Sequence, residues 1–244
     1  MKDARVILEL VRSVCPEGVF PGRNGEERAD WEPDPFHVLI STVLSQRTKD
    51  ANTFSASSRL FAEFDSPREI ACAPEARVEE LIRPAGFPKA KGKAIREISR
   101  IVHEERGDEV PDTLEELVAL PMVGRKTANC VLSYGFGKEA ICVDTHVHRI
   151  SNRIGLCRTK NPEETEFALR KVVPRDLWID TNSLMVRFGQ TVCLPRNPRC
   201  PKCPVAPYCD YYENLYLVQH RKVERHAGTR GGTFSKRRAK TGRQ

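Results

Sequence analysis

The chain reads as an all-α protein, and three observations carry that reading. Apolar residues recur at helical spacing along most of its 244 positions, no segment alternates with the two-residue period of a half-buried strand, and short turns with cap residues separate the periodic stretches. Val6, Ile7, Leu10, Val11 and Val14 form the first stripe, and Phe36, Leu39, Ile40, Val43 and Leu44 form the second. Between them, residues 21–34 are rich in Pro, Gly and charge and read as an exposed linker. A helix over about 48–64 follows. Ser66-Pro67-x-Glu69 then marks a start, with proline in the first turn and a glutamate placed to close a capping box. Helices over about 74–82 and 89–106 come next. Asp112 or Thr113 opens a short helix through Leu114, Leu117, Val118 and Leu120, which Pro121 stops. Another starts near Gly124 and runs through Ala128, Val131, Leu132 and Tyr134 to Gly135 and Gly137. Further helices over about 145–154, 162–172 and 176–188 bring the count to at least ten.

The length allows one large domain or two small ones with a real core. No run of 18 apolar residues is present, so no membrane helix is expected, and Met1-Lys2-Asp3-Ala4-Arg5 does not read as a signal peptide. The nine cysteines are odd in number and four are clustered, which points to a reducing cytosol. Cys15, Cys72, Cys130, Cys142 and Cys157 lie among apolar residues and read as small core residues. The net charge of +7 is unevenly spread. Residues 220–244 hold nine Lys/Arg and one Glu, whereas residues 1–219 hold 31 Lys/Arg against 32 Asp/Glu. The body is nearly neutral and the excess sits in a tail whose Gly, Lys and Arg content reads as disordered.

Cys193, Cys200, Cys203 and Cys209 form a C-x6-C-x2-C-x5-C run, four thiolates within seventeen residues. Pro195, Pro198, Pro201, Pro204 and Pro207 interrupt it, so it must be a succession of tight turns. Four soft ligands suit a cubane iron–sulfur cluster or a tetrahedral zinc ion. The compact run, without two separated short pairs, favours the cluster, in a structural role.

The second signal is the turn Leu120-Pro121-Met122-Val123-Gly124-Arg125-Lys126-Thr127-Ala128 between two helices. Such a turn aims backbone N–H groups outward at a helix N-terminus, where a phosphate can be held without reading sequence. Lys126 lies in the first turn of the second helix. Eighteen residues on comes Val143-Asp144-Thr145-His146-Val147-His148-Arg149, with Asp144 placed as an N-cap. Taken alone, Lys126 reads as a surface residue and Asp144 as a cap.

The hairpin, the Val-Asp-Thr-His segment and the cysteine run, in this order, resemble the endonuclease III family of DNA glycosylases over roughly residues 35–212. The resemblance implies a two-domain helix-hairpin-helix glycosylase fold with DNA bound across the cleft. Residues 35–143 would form a six-helix domain carrying the hairpin. Residues 1–34 and 144–219 would form a cluster-bearing domain whose C-terminal loop holds a [4Fe-4S] cluster on Cys193, Cys200, Cys203 and Cys209. Lys126 falls where bifunctional members carry a nucleophilic lysine. Its free amine would attack C1′ of the damaged nucleoside, expel the base and form a Schiff base that undergoes β-elimination of the 3′ phosphate. Asp144 would stabilise positive charge developing on the sugar. Double-stranded DNA with a damaged or abasic nucleotide is the implied partner of a monomeric, cytoplasmic enzyme acting on the nucleoid if the source is prokaryotic. Oxidised pyrimidines are the implied substrates. A uracil or thymine mismatch glycosylase and a non-catalytic helix-hairpin-helix scaffold are the alternatives.

The base must leave the stack to be reached, so a side chain must fill the gap. Gln46 and Arg47 both stand near the position where the family places a glutamine for this task. Phe87, in Gly86-Phe87-Pro88, matches an apolar wedge. Val123, Gly124, Arg125 and His146 are the expected contacts around the hairpin and the aspartate. Arg196, Arg199 and Lys202 form a basic loop suited to backbone phosphates. Met122 replaces the first glycine of the family's Leu-Pro-Gly-Val-Gly, which is unfavourable if that position takes a positive φ.

Overall fold

A computed structural model describes residues 2–15 and 34–218; the tail at 220–244 and nearly all of the 21–34 linker lie outside the described residues. Eleven α-helices are present among the described residues, and no strand. They are α1 (Ala4–Arg12), α2 (Pro35–Ser45), α3 (Asp50–Phe61), α4 (Pro67–Cys72), α5 (Glu75–Leu81), α6 (Pro88–Arg100), α7 (Leu114–Val118), α8 (Arg125–Cys130), α9 (Thr145–Ile154), α10 (Pro162–Val172) and α11 (Trp178–Thr191). Wider turns at Ile101–Glu105 and Val131–Gly135 extend α6 and α8.

Local chemistry explains most boundaries. Asp34 ends the expected linker by capping α2, its Oδ1 accepting from the N–H of Phe36 and His37, with Pro35 in the first turn. Ser66 and Glu69 form a reciprocal capping box at α4. Thr113, not Asp112, caps α7. Gly155 closes α9 in the left-handed conformation at φ 87°.

The buried apolar side chains fall into two clusters. One is built around α2, whose Phe36, Leu39, Ile40, Val43 and Leu44 are all buried as expected, and it draws in α3 to α8. The other joins α1 to α9, α10 and α11 through Ile7, Leu8, Val11, Val147, Ile150, Leu169, Met185 and Phe188. The α1 stripe is corrected here: Ala4, Ile7, Leu8 and Val11 face inward, whereas Val6 and Val14 are exposed. Ala4, Val6, Ile7, Leu8, Leu10 and Val11 crowd this nine-residue helix with apolar choices, so the partner α11 selects the face, and it selects the one containing Leu8. Lys2 fastens this helix to the cysteine loop by donating to the carboxylate of Asp210 and the carbonyl of Ile154, both at 2.5 Å.

One cysteine expectation needs revision. Cys15, Cys130, Cys142 and Cys157 are buried, but Cys72 ends α4 on its outer side and is exposed, because Ile70 supplies that helix's buried contact. Cys130 and Cys142 face one another across twelve residues, with Cα atoms 5.2 Å apart, where the α8 helix adjoins the segment before Asp144.

Candidate active site

Three elements converge on Lys126 and Asp144. The first is the hairpin. The turn after α7 needs a left-handed residue, and Met122 supplies it at φ 58° while keeping its side chain 42% exposed. A non-glycine residue there is strained by about 1 kcal/mol or more. The carbonyl of Met122 accepts from Nε2 of Gln46 at 2.8 Å, which steadies the turn against the end of α2. Val123 is buried and its N–H already donates to the carbonyl of Leu120 (3.1 Å). The outward amides are therefore those of Gly124 and of the first turn of α8, which have no partner one turn back.

The second element anchors that helix. Arg125 does not project its guanidinium toward solvent. Its Nε and Nη2 donate to the two carboxylate oxygens of Glu166 on α10 at 2.7 and 2.9 Å, and Phe167 lies against it at 4.8 Å. Glu166 is only 3% exposed in its side chain, also accepts from Asn129 at 2.8 Å, and forms an ion pair with Arg170 at 2.8 Å. One buried carboxylate thus locks the helix carrying Lys126 to the other core.

The third element presents the aspartate. Ile141, Cys142 and Val143 are buried, and the carbonyl of Cys142 accepts from Nδ2 of Asn182 (2.9 Å), whose Oδ1 accepts from the Tyr134 hydroxyl (3.0 Å). At the end of this held segment, Asp144 caps α9: its Oδ1 accepts from the N–H groups of His146 (2.9 Å) and Val147 (2.8 Å). The α9 helix lies so close to α11 that a Cβ on Gly189 would stand 2.3 Å from Nδ1 of His146, so only glycine fits there.

Lys126 is exposed, as a group that must meet a sugar carbon requires. Partial desolvation of its amine nonetheless disfavours the ammonium form and lowers the pKa of Lys126, against the raising influence of Asp144 and Asp50. His146 is pulled down by burial as well, with Asp144 and Asp50 opposing and Arg149 assisting. Asp50 itself accepts from Nε2 of Gln190 on α11 (3.1 Å). Lys126, Asp144, Asp50 and His146 therefore share one charged neighbourhood where the two cores meet.

The remaining expected contacts divide. Arg47 is exposed, in the left-handed conformation at φ 53°, with its guanidinium 5.7 Å from the ring centroid of Phe87. Phe87 is 59% exposed at φ 51°, so it is not core. Gln46, by contrast, is turned into the hairpin. Arg196, Arg199 and Lys202 are all exposed on the cysteine loop.

The four cysteines line one largely apolar hollow with Ile154, Phe188 and Val205. Their thiols lie close enough to disfavour one another's ionisation. Burial first, then Cys193 and Cys209, push Cys200 up to about 11, and burial pushes Cys203 up to about 11. Four cysteines converging on one hollow fit a cationic iron–sulfur centre that would take them as thiolates. Among the described residues no three such side chains are arranged to hold a single metal ion. Arg153 braces the loop, donating to the carbonyls of Leu194 (2.7 Å) and Pro195 (2.8 Å) and approaching Sγ of Cys193 at 3.6 Å. Arg149 donates to the carbonyl of Cys193 at 2.9 Å.

This fold and hairpin are those of a known repair class. Residues 40–175 match the family model described as HhH-GPD superfamily base excision DNA repair protein, and the chain belongs to that superfamily. Within it the chain is a member of the endonuclease III family: it is 54% identical over 207 residues to endonuclease III of Thermotoga maritima, covering 85% of this chain and 93% of that one. A trapped endonuclease III–DNA covalent intermediate superposes with a TM-score of 0.76 at 34% identity, covering 86% of this chain and 95% of the other. A thermostable thymine-DNA glycosylase does so at 0.73 and 26% identity, with coverages of 86% and 95%. The chain is accordingly a base-excision-repair DNA glycosylase with abasic-site lyase activity. No helix among the described residues is long and apolar enough to cross a membrane.

Glu166, Arg153, Arg149 and Asp50 are the site residues that sequence reading missed. Each is a charged residue on a helix, and only its tertiary partners distinguish it from a solvated one.

Proposed function

We propose that this enzyme removes damaged, chiefly oxidised, pyrimidines from duplex DNA, with Lys126 as nucleophile and Asp144 as its electrostatic partner. The observation that carries this reading is Lys126 itself, solvent-accessible at the start of α8, its pKa lowered by its surroundings and raised in part by Asp144. A lowered pKa enlarges the fraction of free amine near neutral pH. The amine nitrogen forms a bond to C1′ as the C1′–N bond to the base breaks, and the base leaves with a proton. Opening of the sugar ring gives the Schiff base. Loss of a C2′ proton then expels the 3′ phosphate, and water releases the lysine. The carboxylate of Asp144 faces the positive charge that develops on the sugar, with its orientation fixed by the two amide hydrogen bonds at the start of α9.

The DNA would lie where the two cores meet, with residues 35–143 as one domain and residues 1–34 and 144–219 as the other. Amides of Gly124 and the first α8 turn hold a phosphate, and Arg196, Arg199 and Lys202 hold others. Arg47, not Gln46, takes the space of the flipped base, because Gln46 is engaged with Met122. Phe87 enters the base step beside it. The guanidinium of Arg125 serves through Glu166 and not through a phosphate. Cys193, Cys200, Cys203 and Cys209 carry a [4Fe-4S] cluster that fixes the basic loop and takes no part in bond cleavage. The enzyme works as a monomer on DNA in the cytoplasm. A thymine or uracil mismatch activity is the second reading, favoured by the similarity to the thymine-DNA glycosylase structure.

Duplexes carrying one lesion each, assayed separately for base release and strand cleavage, test this. Oxidised pyrimidines should be released fastest, with cleavage following. Release confined to thymine or uracil opposite guanine would move the assignment to the second reading.

A further inference from the structure

Lys91 is the largest fully buried charged side chain among the described residues, with 1% of its surface exposed. It stands in the first turns of α6, within the core formed around α2. No carboxylate among the described residues pairs with it. Its Nζ instead donates to the carbonyls of Leu44 (2.7 Å), Gln46 (2.8 Å) and Ala85 (2.9 Å) and to Oγ1 of Thr48 (2.8 Å). A buried ammonium held only by neutral oxygens is expensive to desolvate, and a methionine would avoid that cost only by leaving these oxygens without their donor. Burial alone therefore does not explain a lysine here.

Its partners do. Leu44, Gln46 and Thr48 lie at the end of α2 and on both sides of Arg47, and Ala85 lies two residues before Phe87. Thr48 doubles the connection, its hydroxyl donating to the carbonyl of Ala85 (2.5 Å) and lying 3.1 Å from that of Gln46. Arg47 and Phe87 are both non-glycine residues in the left-handed conformation, at φ 53° and 51°, which persists only when surrounding structure imposes it. The one ammonium bridges the two strained turns and holds their tips in contact.

We propose that Lys91 is a positioning residue for base extrusion, clamping the Arg47 turn and the Phe87 turn into a single rigid wedge. The inference rests on the reading of Arg47 and Phe87 given above. Two tips fixed relative to one another can enter a base stack without ordering themselves at the moment of insertion, so the clamp matters most where a base must be pulled from a stable pair.

The test is Lys91→Met, with Thr48→Val as a milder break of the same bridge that keeps the ammonium. Single-turnover base release is measured on a well-paired lesion, alongside strand cleavage at a preformed abasic site. Fluorescence of a 2-aminopurine opposite the lesion reports unstacking of the orphaned partner. Lys91→Met should lower base release from the paired lesion by about tenfold or more. Cleavage at the abasic site, where no base is extracted, should fall much less. The 2-aminopurine signal should drop in both variants, less in Thr48→Val, with cluster absorbance unchanged. Equal losses on both substrates, or an unchanged 2-aminopurine signal, would overturn the clamp. Should Lys91→Met yield no folded protein, Thr48→Val decides by the same ratio. A wild-type enzyme that produces no 2-aminopurine signal while releasing bases would instead overturn the underlying wedge assignment.

Discussion

Replacing Glu166 by alanine should be among the most damaging single changes outside the reacting groups. The carboxylate is 3% exposed, accepts three hydrogen bonds, two from Arg125 and one from Asn129, and forms an ion pair with Arg170. Removing one member of a buried ionic network costs about 3–5 kcal/mol, because the surviving charges remain desolvated without compensation. Here the two guanidinium side chains keep 29% and 31% of their surface accessible, so water can recover part of the loss. The expected destabilisation is therefore near the lower bound, about 3 kcal/mol. For a chain of this size that lowers the apparent melting midpoint by roughly 6–12 °C. Circular dichroism and cluster absorbance, followed together on heating, measure it. The change should also slow strand cleavage at temperatures where the protein is still folded, since the helix bearing Lys126 loses its anchor to α10. A loss below about 1 kcal/mol with unaltered cleavage would mean that the network is merely a surface ion pair and that Arg125 is free for another partner.

Three further outcomes follow from the same structure. Cys200→Ser or Cys203→Ser should lose the brown absorbance and most soluble protein together, because the loop has little apolar core of its own; zinc in place of iron and sulfide in the purified protein would contradict the cluster assignment. The reactive form of Lys126 is the free amine, so the rate should rise with pH through a pKa below that of ordinary lysine. In Asp144→Asn, which removes the influence that raises this pKa, the rising limb should move to lower pH while the plateau falls by about 10²–10³; a limb moving to higher pH would refute the electrostatic coupling. Deleting residues 220–244, which hold nine Lys/Arg and one Glu, should weaken nonspecific DNA binding and flatten its salt dependence while cleavage at saturating DNA persists; loss of cleavage at saturation would place the tail in the site.

The helices were legible wherever the sequence carries its own punctuation. Ser66 with Glu69, and Asp144 before Thr145, are local signals, and the structure uses each as a cap. The face of α1 was not legible, because Val6, Leu8 and Val14 are chemically equivalent until α11 chooses among them. At the site, the motif places Lys126 and Asp144 but says nothing of what holds them. Whether Gln46 or Arg47 faces the DNA depends on the left-handed φ at Arg47, a conformation its residue type disfavours and the surrounding turn imposes. Lys91 and Glu166 read as ordinary members of charged helices, since a side chain's burial is decided by segments remote in the chain. Arg125 misleads in the opposite sense: a basic residue in a phosphate-binding hairpin that is occupied elsewhere.

The central claim is that Lys126 becomes covalently joined to the sugar. Borohydride added during turnover on a lesion duplex, followed by digestion and mass spectrometry of the adduct, tests it most directly. The adduct should map to Lys126, and Lys126→Gln should trap nothing and cleave no abasic strand while retaining DNA binding through the hairpin amides. An adduct on another residue, or trapping at wild-type yield by Lys126→Gln, would contradict the assignment.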